Sequence, residues 1–171
     1  MKREEYIKQL INEKGYKILA EIGVLRGAFS NHLLKTNPEM LILIDPWQVW
    51  DKSEYPDYPD YGQSKWDELH NKVKLRYQKN NCNIMRCTSL EAAKQVPNKF
   101  LDLAYIDGNH THDFVLQDLN AWLPKIKKGG TICGHDYQIT YKAVEEFCKQ
   151  HNLQINFVTS EKSTASYFIQ I

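Results

Sequence analysis

The sequence predicts an α/β fold: a three-layer, doubly wound, mostly parallel seven-stranded sheet whose last strand runs antiparallel. Three observations predict it. Short apolar runs alternate with segments of helical periodicity along nearly all 171 residues, the order expected of strands joined by helical crossovers. Runs such as MLILID (40–45) and FLDLAYID (100–107) lack the clean polar alternation of a half-solvated strand, so both sheet faces are covered. The last two runs, QINFVT (154–159) and ASYFIQI (165–171), are separated only by the polar turn SEKST, which is too short for a crossover and forces an antiparallel pair.

Taken in order, Tyr6, Ile7, Leu10 and Ile11 recur at helical spacing among charged residues, so the first fourteen residues form an amphipathic helix. YKILAEIG (16–23) is the first strand and AFSNHLLK (28–35) the next helix. The second strand, 40–45, is followed by PWQVWDKSEYPDYPDYGQ (46–63), too long and too rich in Pro and Tyr for a simple turn, and therefore an insertion at the strand's end. A helix over 65–77, a strand over 83–87 (NIMRC), a helix over 89–96 and the fourth strand over 100–107 continue the pattern. A helix within 113–126, a strand over 130–136 (GTICGHD) and a helix over 141–151 precede the final pair. With 42% hydrophobic and 25% charged residues, the chain suits one domain spanning 1–171.

Composition narrows the partners. A formal net charge of +1 with acids and bases interspersed gives no broad basic face, so a nucleic-acid partner is not expected. The N-terminus is charged throughout and no apolar run reaches the length of a signal-peptide core or a membrane span, so a soluble, cytoplasmic protein is expected. Cys82, Cys87, Cys133 and Cys148 form no C-x-x-C pair and sit in or beside apolar segments, as reduced core thiols do.

In open parallel sheets ligands bind outside the carboxyl ends of the strands, which directs attention to EIGVLRGAFS (21–30). Gly23 and Gly27 flank a stretch in which Leu25 stands where a dinucleotide fingerprint requires its middle glycine. Glu21 would repel a pyrophosphate and attract a ligand bearing an ammonium group. Asp45 ends the second strand eighteen positions after Gly27, where a carboxylate can accept hydrogen bonds from ribose hydroxyls. Together Glu21, Gly23, Gly27 and Asp45 suit an adenosyl amino acid better than NAD.

Two further strands end in polar residues, IDGNHTH (106–112) and CGHDY (133–137). If these strands are neighbours, about 4.8 Å apart, Asp107 and Asp136 face each other and repel unless a proton or cation lies between them. Such an oxygen-rich site suits Mg²⁺, Mn²⁺ or Ca²⁺, an imidazole nearby favouring a transition metal such as Mn²⁺. His110, three residues beyond Asp107, is the candidate general base. His112 reads as a bystander at the start of the next helix, where Thr111 or Asp113 would cap. His32, His70 and His151 sit in helical patterns as structural or exposed residues, and Asp118 and Trp122, four apart on one helix, read as packing.

The motifs EIGVLRG, LIDPW and LAYIDGNHTHDFVLQDLNAWLPKIKKGGTICGHDY resemble the small S-adenosylmethionine-dependent methyltransferases of the Rossmann-like type, in particular the group of macrocin-type sugar O-methyltransferases and cephalosporin hydroxylase-like proteins. The resemblance runs from about Ile18 to Phe147. It implies a seven-stranded sheet with the last strand antiparallel, S-adenosylmethionine as cofactor, and a small hydroxylated molecule such as a sugar as acceptor. It further implies that Glu21 and Gly23 line the methionine end of the cofactor, that Asp45 holds the ribose, and that Thr88 and Ser89 lie near the adenine, with Asp107 also reaching the cofactor. The metal ligands it implies are Asp107, His135 and Asp136. On this reading Asp107, Asp136 and His110 carry the chemistry. A metal-dependent hydroxylase on the same fold and a catalytically degenerate cofactor-binding module are the alternatives. The aromatic and acidic insertion at 46–63 reads as a lid over the cofactor end of the sheet.

Overall fold

The computed structural model describes residues 2–56, 58–160 and 164–171. Residues 161–163 of the expected turn SEKST (160–164) lie outside them. The elements are α1 (Arg3–Lys14), β1 (Ile18–Ile22), α2 (Ser30–Leu34), β2 (Met40–Ile44), α3 (Gln63–Tyr77), β3 (Cys82–Met85) and α4 (Ser89–Gln95). They continue with β4 (Leu101–Ile106), α5 (His112–Trp122), β5 (Ile126–Gly134), α6 (Tyr137–His151), β6 (Ile155–Ser160) and β7 (Thr164–Gln170). The seven strands form one sheet in the order β3-β2-β1-β4-β5-β7-β6. β1 to β5 pair in parallel, while β7 inserts between β5 and β6 and runs antiparallel to both.

Strand alternation sorts the apolar runs onto two faces. Leu19, Leu41, Leu43, Leu103 and Tyr105 pack with Ile7 and Ile11 of α1, Leu33 of α2 and Trp66, Val73 and Tyr77 of α3. Ala20, Ile22, Ile42, Ile44, Ala104 and Ile106 pack with Ala92 of α4, Val115, Leu119 and Trp122 of α5, and Val144 and Phe147 of α6. Both faces are therefore dry, which explains why the strands read as continuous apolar runs. Each fully buried Leu, Ile or Phe contributes about 1.5–3 kcal/mol, so the sheet ends are carried on a rigid frame.

Element boundaries depart most from the sequence reading at the start of α6 and the start of β5. α6 begins at Tyr137 rather than Tyr141, because Asp136 adopts a left-handed conformation (φ 52°, ψ 39°) that turns the chain straight from β5 into the helix. The helix expected within 113–126 is α5, and Leu123–Lys125 after it is a 3-10 turn containing Pro124, which lacks the N–H a continued helix needs. β5 accordingly starts at Ile126, with a register irregularity against β4. All four cysteines are free thiols, Cys133 and Cys148 buried and Cys82 and Cys87 partly so. Among the described residues no helix is long and apolar enough to cross a membrane.

Candidate active site

Strand order reverses between β1 and β4, and the carboxyl ends of β1, β2 and β4 open onto a groove there, as the topology requires. The groove has two halves. One, of about 460 Å³, is walled by Glu21, Asp45, Asp107, His110, Phe29 and Arg3. The other, of about 230 Å³, is walled by Ile22, Ile44, Leu90 and Phe114, with Thr88, Ser89 and Asp118 at its edge. Gly23, Asp45, Gly108, Tyr55 and Tyr58 line both halves. The two tyrosines come from the insertion and stand across the middle.

The loop after β1 owes its path to Gly23, whose φ of +92° favours glycine and whose missing Cβ would overlap the Asp107 carbonyl and lie 2.9 Å from Gly108 Cα. Two ladder bonds continue past the strand ends on either side of this contact: Gly23 N–H donates to Ile44 O at 2.9 Å and Asp107 N–H to Ile22 O at 2.8 Å. Leu25 then takes a left-handed conformation, φ 51°, and donates its N–H to Asp45 Oδ2 at 2.8 Å. Trp47 N–H donates to Asp45 Oδ1 at 2.8 Å and the Trp47 indole to Leu25 O at 2.9 Å. Asp45 thereby ties the loops after β1 and β2 together. Burial raises its pKa against the pull of these amides.

Glu21 is 1% exposed. Its Oε2 accepts the Ser30 hydroxyl at 2.5 Å, yet burial pushes its pKa up to about 8, with Asp107 and Asp45 adding repulsion. Gly27 lines neither half of the groove: its carbonyl accepts the Tyr77 hydroxyl at 2.5 Å, and a Cβ there would meet the Tyr77 ring at 2.7 Å. Its structural work is to let α3 pack closely on the loop.

Asp107 and Asp136 stand at the ends of neighbouring parallel strands, Ile106 being in register with Gly134. Among the described residues Asp107, His110 and Asp136 form a group whose ligand atoms all lie within 4.8 Å of one another. His110 Nε2 is 3.4 Å from Asp107 Oδ1 and 3.6 Å from Asp136 Oδ2. His135, expected as a ligand, is outside this group and instead sets Nδ1 3.1 Å from Asp136 Oδ1. Asp136 is itself left-handed and makes no side-chain cap bond to α6, and His110 is the imidazole that lies between the two acids.

The other expected residues divide. Thr88 and Ser89 line the apolar half, but their hydroxyls are occupied. Thr88 caps α4 in a reciprocal box with Glu91, its Oγ1 donating to Oε2 at 2.7 Å, and Ser89 Oγ accepts the Trp122 indole N–H at 2.9 Å. His112 is exposed and pairs with Asp113 at 2.9 Å and Glu146 at 3.1 Å, outside the groove. Within the insertion, Tyr55 stacks on Tyr58 and Tyr58 on Trp66, at 4.5 and 4.3 Å. Asn109 anchors the segment from below, donating Nδ2–H to Glu54 O at 2.9 Å while Oδ1 accepts Thr111 N–H.

Arg3 escaped the sequence reading. From the first turn of α1 it donates to the Tyr105 hydroxyl at 2.8 Å, lies 4.0 Å from Asp107 Oδ2 and stacks over Phe29 at 4.8 Å. Phe29 in turn stacks on Tyr105 at 4.1 Å. No local pattern joins residues 3 and 105; only the docking of α1 does.

A family model described as a methyltransferase domain matches residues 20–137, the segment that carries every wall of the groove except Arg3 and Glu4. The chain belongs to this methyltransferase family. Its seven-stranded sheet is the Rossmann-like fold of S-adenosylmethionine-dependent methyltransferases. Among solved structures it is similar to a Bacillus cereus O-methyltransferase in complex with SAH (10% identity, TM-score 0.72, covering 99% of this chain and 80% of that one). It is also similar to the O-methyltransferase NovP (16%, 0.69, 96% and 78%) and to an rRNA methylase from Streptococcus thermophilus (11%, 0.70, 99% and 97%). A curated relative, the uncharacterized protein y4gI of Sinorhizobium fredii, is 25% identical over 93 residues. That match covers 53% of this chain and 10% of the relative's length. Neighbours with such different acceptors share the fold, so the acceptor must be argued from the methyltransferase's own groove.

Proposed function

We propose that the methyltransferase acts on a hydroxyl of a small molecule, and that Asp107, His110 and Asp136 hold a divalent cation, Mg²⁺ or Mn²⁺, beside the acceptor. The observation that carries this reading is the junction of two unlike half-grooves at Gly23 and Asp45. An adenosyl amino acid has the same division, a flat base at one end and a cationic centre at the other.

S-adenosylmethionine supplies a methyl group already activated on a sulfonium. Glu21, Asp45 and Asp107 surround the acidic half and favour a positive centre there, while the apolar walls of the other half suit the base. Asp45 keeps lone pairs beyond those taken by the Leu25 and Trp47 amides, and the Tyr58 hydroxyl at 3.4 Å is the weakest of its partners. That is the place a ribose hydroxyl takes, with Tyr58 giving way. The first half of the groove also holds His110 and the Phe29 ring, leaving room beside the sulfonium for a small acceptor. The structural likeness to O-methyltransferases supports an oxygen acceptor. A net charge of +1 and the acid-lined groove oppose a polyanionic one.

Two carboxylates and an imidazole whose ligand atoms lie within 4.8 Å fit a hard or borderline cation. A cation held there supplies Lewis acidity to an adjacent hydroxyl and lowers its pKa. In that state His110 is a ligand. A second reading makes His110 the general base, favoured by the placement of Nε2 between Asp107 and Asp136, which orients the ring. Titration with Mn²⁺ followed by electron paramagnetic resonance separates the two. The cation reading predicts one bound ion, lost in Asp107→Ala, and turnover abolished by chelator. Turnover unchanged by chelator but lost in His110→Ala would establish the base instead. Product mass tests the reaction itself: gain of CH₂ is methyl transfer, whereas gain of oxygen would mean a hydroxylase.

A further inference from the structure

We propose that Asp118 reads the 6-amino group of the cofactor's adenine and makes the methyltransferase selective for adenosyl over inosyl ligands. The inference deepens the reading above, in which the apolar half-groove takes the base.

Asp118 lies on α5 and is 5% exposed, and it lines the smaller half of the groove. The surroundings make this a costly place for a carboxyl. Ile22, Ile44, Leu90 and Phe114 wall the same space, and burial pushes the Asp118 pKa up to about 7. Among the described residues the Ser89 hydroxyl is the group that opposes this shift and pulls the Asp118 pKa back down. Ser89 Oγ already accepts the Trp122 indole N–H at 2.9 Å, so its own proton is left for Asp118. This chain of donors fixes the carboxyl but satisfies only part of it. A carboxyl has about four acceptor sites, and a buried one with so few partners is retained at a cost that a packing role does not repay.

The half-groove therefore offers flat apolar walls and one buried acceptor with spare capacity, close behind the loop after β4: a Cβ on Gly108 would lie 3.8 Å from Asp118 Oδ2. Adenine matches both features. Its ring faces fit the walls, and its exocyclic amine carries two N–H donors. Hypoxanthine has the same ring shape but an oxygen at that position, which opposes the lone pairs of the ionised carboxylate, so the preference is read above pH 7, where Asp118 has lost its proton. The turn after β3 cannot supply the discrimination with its side chains, because the Thr88 hydroxyl is engaged with Glu91 and the Ser89 hydroxyl with Trp122 and Asp118.

The test is calorimetric titration of the full chain with S-adenosylhomocysteine and with S-inosylhomocysteine. The wild type should prefer the adenosyl ligand by about tenfold or more, the range expected when one analogue leaves a buried polar group unpaired. Asp118→Asn, whose amide donates as well as accepts, should bind the inosyl ligand more tightly than the wild type does and bring the two affinities to within about threefold of each other. Ser89→Ala keeps the carboxyl and should keep the preference. If Asp118 only braces α4 against α5, Asp118→Asn weakens both ligands alike and leaves their ratio unchanged, which would overturn the inference while leaving the cofactor reading intact. Binding of neither ligand by the wild type would overturn both.

Discussion

Replacing Gly23 with alanine should lower the melting temperature by about 6–12 °C and abolish cofactor binding in whatever protein remains folded. The added Cβ overlaps the Asp107 carbonyl and meets Gly108 Cα at 2.9 Å, at a residue whose φ is +92°. A left-handed non-glycine residue costs about 1–3 kcal/mol and overpacking a further 1–3 kcal/mol; partial relaxation of the loop after β1 puts the loss in the lower half of the combined range, at about 3 kcal/mol. At this chain length each kcal/mol moves the midpoint by about 2–4 °C. The loop after β4 cannot retreat cheaply, because Asp107 N–H is bonded to Ile22 O and the ladder continues from Glu21 against Tyr105. Relief by parting β1 from β4 opens the groove between them. Differential scanning fluorimetry with and without S-adenosylhomocysteine reads both effects; a variant that melts with the wild type and is still shifted by ligand would contradict the close approach described for Gly23.

Glu21→Gln should stabilise the protein in alkaline solution and weaken cofactor binding, two effects of opposite sign from one group. The folded protein holds the Glu21 proton up to about pH 8, whereas the ordinary value is 4.5. Between those values the folded state binds more protons than the unfolded chain, so stability falls as pH rises through the window and the loss is complete above it. Glutamine stays neutral and escapes the penalty. Urea unfolding should therefore show the variant equal to the wild type near pH 4.5 and more stable at pH 8. Binding runs the other way: a cationic ligand favours the ionised carboxylate, so the wild type should release protons on taking up S-adenosylmethionine near neutral pH. The observed binding enthalpy then varies with the ionisation heat of the buffer. In Glu21→Gln that variation should shrink and affinity fall about tenfold or more, as expected when a charge-assisted contact is removed. Equal affinity in the two proteins would separate Glu21 from the cofactor.

How far the sequence reveals the molecule depends on whether a feature is local. The doubly wound sheet is legible because two dry faces demand continuous apolar strands, and β6 and β7 read as an antiparallel pair because their connection is short. The insertion of β7 between β5 and β6 is not legible, since no residue near it encodes its neighbour. The pairing of Asp107 with Asp136 follows from the crossover connecting consecutive strands. The placement of His110 between the two acids does not, and neither does the left-handed Asp136, whose φ of 52° starts the helix a turn earlier than its periodicity indicates. Asp118 reads as packing because helical spacing places it four residues before Trp122 on one buried face. That face also closes the apolar end of the groove, and only the folded α4–α5 contact shows it. Arg3 enters the site across 102 residues of sequence.

The central claim is that the two half-grooves are one cofactor site, and hydrogen exchange read by mass spectrometry, with and without S-adenosylhomocysteine, tests it most directly. The account predicts slowed exchange in 22–26, 44–48, 88–90 and 106–110 together, with the far end of the sheet unchanged. Protection of one half alone, of segments elsewhere, or of none would contradict it.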